Sequence, residues 1–227
     1  MSPFNHGNIL KKFNVGIIGY GWAATAHIDA INASGMAQVT HVYSSRLLDD
    51  DELSVRYGSR IKTTTNLNSV LKDPRVDVVD VTSYPYQHAD QVVAAAKAGK
   101  HIIIEKPLTL TKTSLRRMVK AAKEARVKTC VCFECRFSSQ FLTLKSVIDQ
   151  DLIGKIHYGE VDYYHGVGPW YGQYRWNTKK DAGGSSLLSA GCHAMDALLY
   201  CMGSADVAEV VSHSTKSKNK IFRKYEY

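Results

Sequence analysis

Nowhere in the 227 residues does an apolar run approach the ~20 residues of a membrane-spanning helix, so a helical span is not expected. The first twelve residues hold Asn5, His6, Asn8 and the Lys11-Lys12 pair and lack an apolar core, so no export signal is expected either. Cysteine is scarce and odd in number, at five, which argues against a disulfide framework and for a reducing, cytoplasmic setting. Proline is equally sparse at 5, and no repeat or low-complexity stretch breaks the chain, which excludes collagenous and disordered classes. What remains, 44% apolar and 22% charged, is the make-up of a compact globule. Its length suits one large domain, or a complete domain of roughly 130 residues followed by a smaller one.

The net charge of +8 favours anionic ligands without specifying a fold. Its densest portion, Lys216, Lys218, Lys220, Arg223 and Lys224, lacks the interleaved aromatics of a nucleic-acid module and reads as a solvated basic loop. Cys130, Cys132 and Cys135 form a C-x-C-x-x-C cluster in a stretch that alternates like a strand. Alternation would put Cys130 and Cys132 on one face and Cys135 on the other, so they are expected to be small buried hydrophobes and no metal is expected.

From Phe13 to Cys135, β-branched runs alternate with helical stretches. Val15–Ile18, Val39–Tyr43, Val76–Val81, His101–Ile104 and Thr129–Phe133 predict strands, several apolar on both faces. Between them, Ala23–Ala33, the residues after Asp49, Asp90–Ala98 closed by Gly99, and Leu115–Arg126 predict helices. This order predicts a doubly wound parallel sheet, an α/β Rossmann domain over residues 1–135. Residues 136–227 change rhythm. They predict a helix over Ser138–Asp149, an antiparallel strand over Lys155–Val167, a helix over Ser186–Met202 and a strand over Ala208–Ser214, hence a second, α/β domain with an open antiparallel sheet.

The first strand runs into Gly19-Tyr20-Gly21-Trp22-Ala23-Ala24, a G-x-G-x-x-A turn that opens a helix. Gly19 permits the tight turn, Gly21 lets the backbone approach a pyrophosphate, and Ala24 lets the helix pack on its strand, with Trp22 beside them. The phosphate would meet unpaired N–H groups and the positive end of the helix dipole. At the end of the second strand, where NAD enzymes place an acidic residue and NADP enzymes an arginine, stand Ser44, Ser45 and Arg46. Small hydroxyls and a guanidinium suit a 2′-phosphate, so NADP is favoured over NAD.

After the fifth strand comes Glu105-Lys106-Pro107, and the second domain holds Gly183-Gly184 followed by Gly191-Cys192-His193-Ala194-Met195-Asp196. With the glycine turn, these resemble, in order over residues 13 to about 215, the Gfo/Idh/MocA oxidoreductase family. The resemblance implies hydride exchange between NAD(P) and a sugar, inositol or related polyol held in a cleft between the domains. It implies cofactor contacts from Glu105, Lys106 and Pro107, the last a cis-proline. Lys106 would also reach the substrate hydroxyl, and His193 would stand beside the reacting carbinol. The chemistry fits these residue types, because a carbinol losing hydride needs a base for its hydroxyl proton.

Many members of the resembled family place aspartate four residues before the histidine, where this chain has Ser189. His193 therefore loses its expected carboxylate neighbour, leaving Ser189 to bind substrate or Lys106 to carry the proton alone. Tyr84-Pro85-Tyr86-Gln87-His88 follows the fourth strand and reads as a wall beside the cofactor, with His88 a helix-start residue. For substrate, the sequence also offers Arg136, His165, Trp170, Tyr171, Tyr174, Arg175, Trp176 and Asn177, among which His165 and Tyr171 are chosen. A second class of function is a catalytically silent dinucleotide-binding sensor or regulator, for which Ser189 speaks. Complete members of the resembled family continue past the position of Tyr227, so a partial second sheet is expected, and with it doubt over the homo-oligomers usual in the family.

Overall fold

A computed structural model describes residues 12–165, 176, 179–203 and 206–215. They form two compact units. One comprises the described residues up to Ser83 with Gln87–Glu105 and Thr111–Val131. The other comprises Tyr84–Tyr86, Lys106–Leu110 and the described residues from Cys132 onward.

The first unit is built on six strands: β1 (Phe13–Ile18), β2 (Ala37–Tyr43), β3 (Lys62–Thr64), β4 (Val78–Val81), β5 (His101–Ile104) and β6 (Thr129–Val131). Every pairing is parallel, and the order is β3-β2-β1-β4-β5-β6. This is the strand order of the dinucleotide-binding doubly wound fold, which reverses direction between β1 and β4. Helices α1 (Trp22–Ala33), α2 (Asp50–Tyr57), α3 (Leu67–Leu71), α4 (Pro85–Lys97) and α5 (Lys112–Ala125) connect the strands. Val15 and Ile17 of β1, Val39 and Val42 of β2, Ala24 and Ile28 of α1, and Leu53 and Tyr57 of α2 share one buried cluster. Each aliphatic side chain so buried stabilises by about 1.5–3 kcal/mol, which is why both-face apolar strands occupy the centre.

Local signals place the ends of the elements. Asp49 Oδ1 accepts from the N–H groups of Asp51 and Glu52, capping α2. Gly99, at φ +73°, closes the turn after α4, as its position predicts. Helix α4 begins at Pro85, five residues before the predicted start, because proline suits the first helical position, where no N–H partner is needed.

The second unit holds a 3₁₀ turn (Glu134–Phe137), α6 (Ser139–Asp149), α7 (Lys180–Gly183), a π-helical turn (Leu187–Gly191) and α8 (Cys192–Met202). The helix expected over Ser186–Met202 is thus present, with its first turn widened. The expected antiparallel strands are not: 155–165 and 206–215 form no strand among the described residues. Alternation marks a chain able to bury one face, but a strand exists only where a neighbour completes its hydrogen-bond ladder. None of the helices of the described residues is long and apolar enough to cross a membrane. The basic run from Lys216 lies outside the described residues.

Candidate functional site

Gly19 and Gly21 do different work in the glycine turn. Gly19 has φ +100°, its N–H donates to the Tyr43 carbonyl, and its carbonyl accepts from Thr82 Oγ1 at 2.7 Å. A Cβ there would lie 2.7 Å from Ser83 Cα, so both conformation and contact demand glycine. Gly21 has φ −134°, and among the described residues a Cβ there would have nothing within 4 Å. The fold itself does not require glycine at 21; an approaching ligand would. Among the described residues no side chain caps α1, and no acidic residue stands in its first turn, so its leading N–H groups suit an anion. Trp22 is 82% exposed beside the turn, while Ala24 is fully buried and packs helix on strand.

Past β2, Ser44 is buried and its Oγ accepts from the Arg46 N–H at 3.3 Å. Ser45 and Arg46 are exposed. The buried Ser44 hydroxyl therefore shapes the loop, leaving Ser45 and Arg46 as the outward-facing pair.

A third feature of this unit gave no warning in the sequence. His27, one turn into α1, sits between two carboxylates, with Nδ1 2.8 Å from Asp80 Oδ2 and Nε2 3.0 Å from Glu105 Oε1. Burial alone would push the imidazole toward neutrality, but the bonds to Asp80 and Glu105 outweigh it and raise its pKa to about 10. Asp80 is fully buried on β4, and its Oδ1 has no hydrogen-bond partner among the described residues. The expected cofactor residue Glu105 thus has its carboxylate held by His27. The available signal was Asp80 itself, a lone charge inside the apolar strand Val78-Val79-Asp80-Val81.

Lys106 and Pro107 belong to the second unit, and the bond between them is cis. Lys106 Nζ donates to the backbone carbonyl of Ser189 at 3.4 Å. Ser189 lies in the π-helical turn, a local widening frequent at functional sites. The contact therefore runs through backbone and would survive a change of the Ser189 side chain.

His193, on the first turn of α8, is 8% exposed and meets Glu134, Cys135, Phe133 and Tyr163. Its Nε2 lies 3.6 Å from Glu134 Oε1 and its Nδ1 3.8 Å from Cys135 Sγ. The carboxylate missing at position 189 thus has a counterpart from the 3₁₀ turn, which sequence spacing did not reveal. Tyr163 stacks on His193 at 6.3 Å and on His165 at 5.9 Å, so the chosen substrate residue His165 joins the catalytic candidate through one ring. Tyr171, Trp170, Tyr174, Arg175 and Asn177 lie outside the described residues.

Arg136, one of the residues offered for substrate, forks onto Asp196, with Nε 2.7 Å from Oδ2, and lies over the Tyr200 ring at 4.9 Å. This bidentate pair ties the 3₁₀ turn to α8 and gives Asp196 a structural duty. The cysteines are not a buried strand face: β6 ends at Val131, Cys130 is exposed, and Cys132 and Cys135 are half-buried. His88 is fully buried in the first turn of α4, with Nε2 3.0 Å from the Ser83 carbonyl, as a helix-start residue would be. Tyr84 and Tyr86 stack at 5.8 Å, and Tyr84 also meets Trp176.

A parallel sheet in this order, with a glycine turn at an uncapped helix, defines a dinucleotide-binding Rossmann protein. Residues 13–133 match the oxidoreductase family model described as an NAD-binding Rossmann fold, and residues 141–224 match the GFO/IDH/MocA C-terminal domain. The chain belongs to the Gfo/Idh/MocA oxidoreductase family. Levoglucosan dehydrogenase of Pseudarthrobacter phenanthrenivorans is 29% identical over 214 residues, 89% of this chain and 54% of the relative. The scyllo-inositol 2-dehydrogenase (NADP(+)) of Bacillus subtilis is 28% identical over 195 residues, 86% of this chain and 53% of the relative. Among solved structures, the WlbA dehydrogenase of Bordetella pertussis in complex with NADH and UDP-GlcNAcA is similar with a TM-score of 0.75 at 25% identity. That match covers 85% of this chain and 59% of the other. The chain spans about half the length of the curated relatives it matches.

Proposed function

We propose that this chain exchanges hydride between a nicotinamide dinucleotide, NADP in preference to NAD, and a hydroxyl-bearing carbon of a sugar, inositol or related polyol. The observation that carries the reading is the open space at Gly21 before the uncapped start of α1. The residues present fit the dinucleotide. Gly19 and Gly21 shape the turn, the leading N–H groups of α1 receive the pyrophosphate, and Ser45 and Arg46 face outward for a 2′-phosphate. When bound, the dinucleotide accepts or returns the hydride.

On the substrate side, Lys106 is oriented by the Ser189 carbonyl and donates to the substrate hydroxyl. His193 takes the hydroxyl proton in oxidation and returns it in reduction, with the Glu134 carboxylate 3.6 Å from its Nε2. His165 offers an aromatic face to a polyhydroxylated ring, and Tyr171, outside the described residues, is the second substrate residue proposed. The sugar and inositol class is supported by the names of the two relatives.

Ser189 motivates a second reading, a dinucleotide-binding sensor without turnover. Lys106 and His193, both in the second unit, speak against it. NADPH and NADH fluorescence titrations report binding, and a screen of sugars and inositols at the nicotinamide absorbance band reports turnover. Turnover abolished by Lys106→Met supports the enzyme. NADPH binding without any reacting carbinol or ketone selects the sensor, and binding of neither dinucleotide ends both readings.

A further inference from the structure

We propose that Glu134, Cys135 and His193 form a binding site for a borderline-soft divalent cation of the zinc class, and that the bound ion withdraws His193 from the proposed chemistry. One ligand atom from each residue lies within 4.8 Å of the others. In tetrahedral coordination, bonds of about 2.3 Å to sulfur and about 2.0–2.1 Å to nitrogen and oxygen put ligand atoms roughly 3.3–3.6 Å apart. Cys135 Sγ and His193 Nδ1, at 3.8 Å, already stand near that separation. Glu134 Oε1 stands 3.6 Å from the other ring nitrogen, Nε2, so its side chain, 66% exposed, has to swing toward Nδ1 to complete the ligand set.

Two of the ligands are held by their surroundings. His193 is edge-on to Phe133 and stacked on Tyr163, and the 3₁₀ turn that carries Glu134 and Cys135 is tied to α8 through Arg136 and Asp196. The cation would therefore meet a largely set pair of donors and one adjustable donor. Sulfur, imidazole and carboxylate together select zinc-like ions over magnesium or calcium, which prefer all-oxygen shells. Three protein ligands leave a fourth position for water. On binding, the Cys135 thiol loses its proton to solvent and the sulfur forms the metal bond. The site differs from the C-x-C-x-x-C pattern, since only Cys135 of that trio takes part.

The binding claim stands on this geometry, whereas the inhibition claim rests on the hydride-transfer reading. Cobalt(II) titration of the full 227-residue chain, without dinucleotide or polyol, tests the first. A thiolate-to-cobalt charge-transfer band and tetrahedral visible bands should saturate at one ion per chain and disappear when zinc is added. Cys135→Ser should remove the charge-transfer band, Glu134→Gln should weaken binding about tenfold, and Cys130→Ser should change neither. Circular dichroism verifies that each variant is folded, and His193→Gln provides a second loss of the tetrahedral spectrum should Cys135→Ser fail to fold. A wild-type chain that binds no cobalt, or a charge-transfer band that persists in folded Cys135→Ser, overturns the site. Where turnover is present, zinc should inhibit it and a chelator should restore it. Inhibition unchanged in Cys135→Ser would refute the withdrawal of His193 while leaving the hydride reading intact.

Discussion

His27 Nε2 lies 3.0 Å from Oε1 of Glu105, seventy-eight positions along the chain, while its Nδ1 lies 2.8 Å from the fully buried Asp80. A protonated imidazole donates to both carboxylates and joins α1 to the ends of β4 and β5. Removing it strands the buried Asp80 charge, whose Oδ1 already lacks a partner among the described residues. His27→Phe should therefore cost about 3–5 kcal/mol in urea unfolding, the range for breaking a buried ion pair from one side. His27→Gln, which keeps a donor, should lose less. A cost below about 1 kcal/mol for His27→Phe would refute the charged bridge.

The same group makes stability depend on pH. Its pKa is about 10 in the folded chain against an ordinary 6.5, so the native state keeps a proton that the unfolded chain has released. The stabilisation is complete below pH 6.5, falls as pH rises and is gone above about 10. At about 1.4 kcal/mol per pKa unit, its full size is a few kcal/mol. The stability gap between wild type and His27→Gln should accordingly narrow from pH 6.5 to 10 in urea titrations. A gap independent of pH would mean that His27 is neutral in the folded chain.

Gly19 and Gly21 should separate folding from ligand binding. Gly19→Ala forces a side chain into a left-handed backbone and against Ser83, costing about 1–2 kcal/mol for conformation alone and more for the contact. Its melting temperature should fall. Gly21→Ala meets nothing among the described residues, so its melting temperature should match wild type while NADPH affinity drops tenfold or more. Unchanged NADPH affinity in Gly21→Ala would remove the turn from the binding site.

The parallel sheet was legible because β1, β2, β4 and β5 are short β-branched runs that stay buried at the centre. Strand β3 was not: Lys62-Thr63-Thr64 is three polar residues whose strand character comes only from pairing with His41–Tyr43. Gly19, Gly21 and Lys106 were readable because their motifs are local. His27 and Glu134 were not, since their partners lie 78 and 59 positions away and only folding brings them together. The cysteine trio misled for a related reason, as β6 stops at Val131 and the alternation that seemed to continue passes into a 3₁₀ turn.

Arg136 and Asp196 illustrate a pair whose geometry matters more than its charge. Both guanidinium contacts fall on one carboxylate, at 2.7 and 2.5 Å, and the Tyr200 ring lies beneath. Lysine can offer neither the paired donors nor the planar stacking face. Arg136→Lys should thus lose most of what Arg136→Met loses, about 1–3 kcal/mol in urea unfolding, and His193 should become more open to solvent in both. Full retention of stability in Arg136→Lys would show that a point charge suffices.

Arg46 carries the proposed preference for NADP. It is exposed just past β2, next to Ser45, and no acidic side chain occupies the loop position where a ribose 2′-hydroxyl would be bound. A charge-assisted contact to a 2′-phosphate stabilises by about 1.5–3 kcal/mol, so Arg46→Ala should weaken NADPH binding about tenfold or more. NADH, which has no such phosphate, should bind the variant as it binds wild type. Arg46→Glu should go further and reverse the order, because a carboxylate repels the phosphate and accepts from the hydroxyl. Equal losses for the two dinucleotides in fluorescence titrations would place Arg46 on the shared pyrophosphate instead, and the NADP preference would then have no residue to carry it.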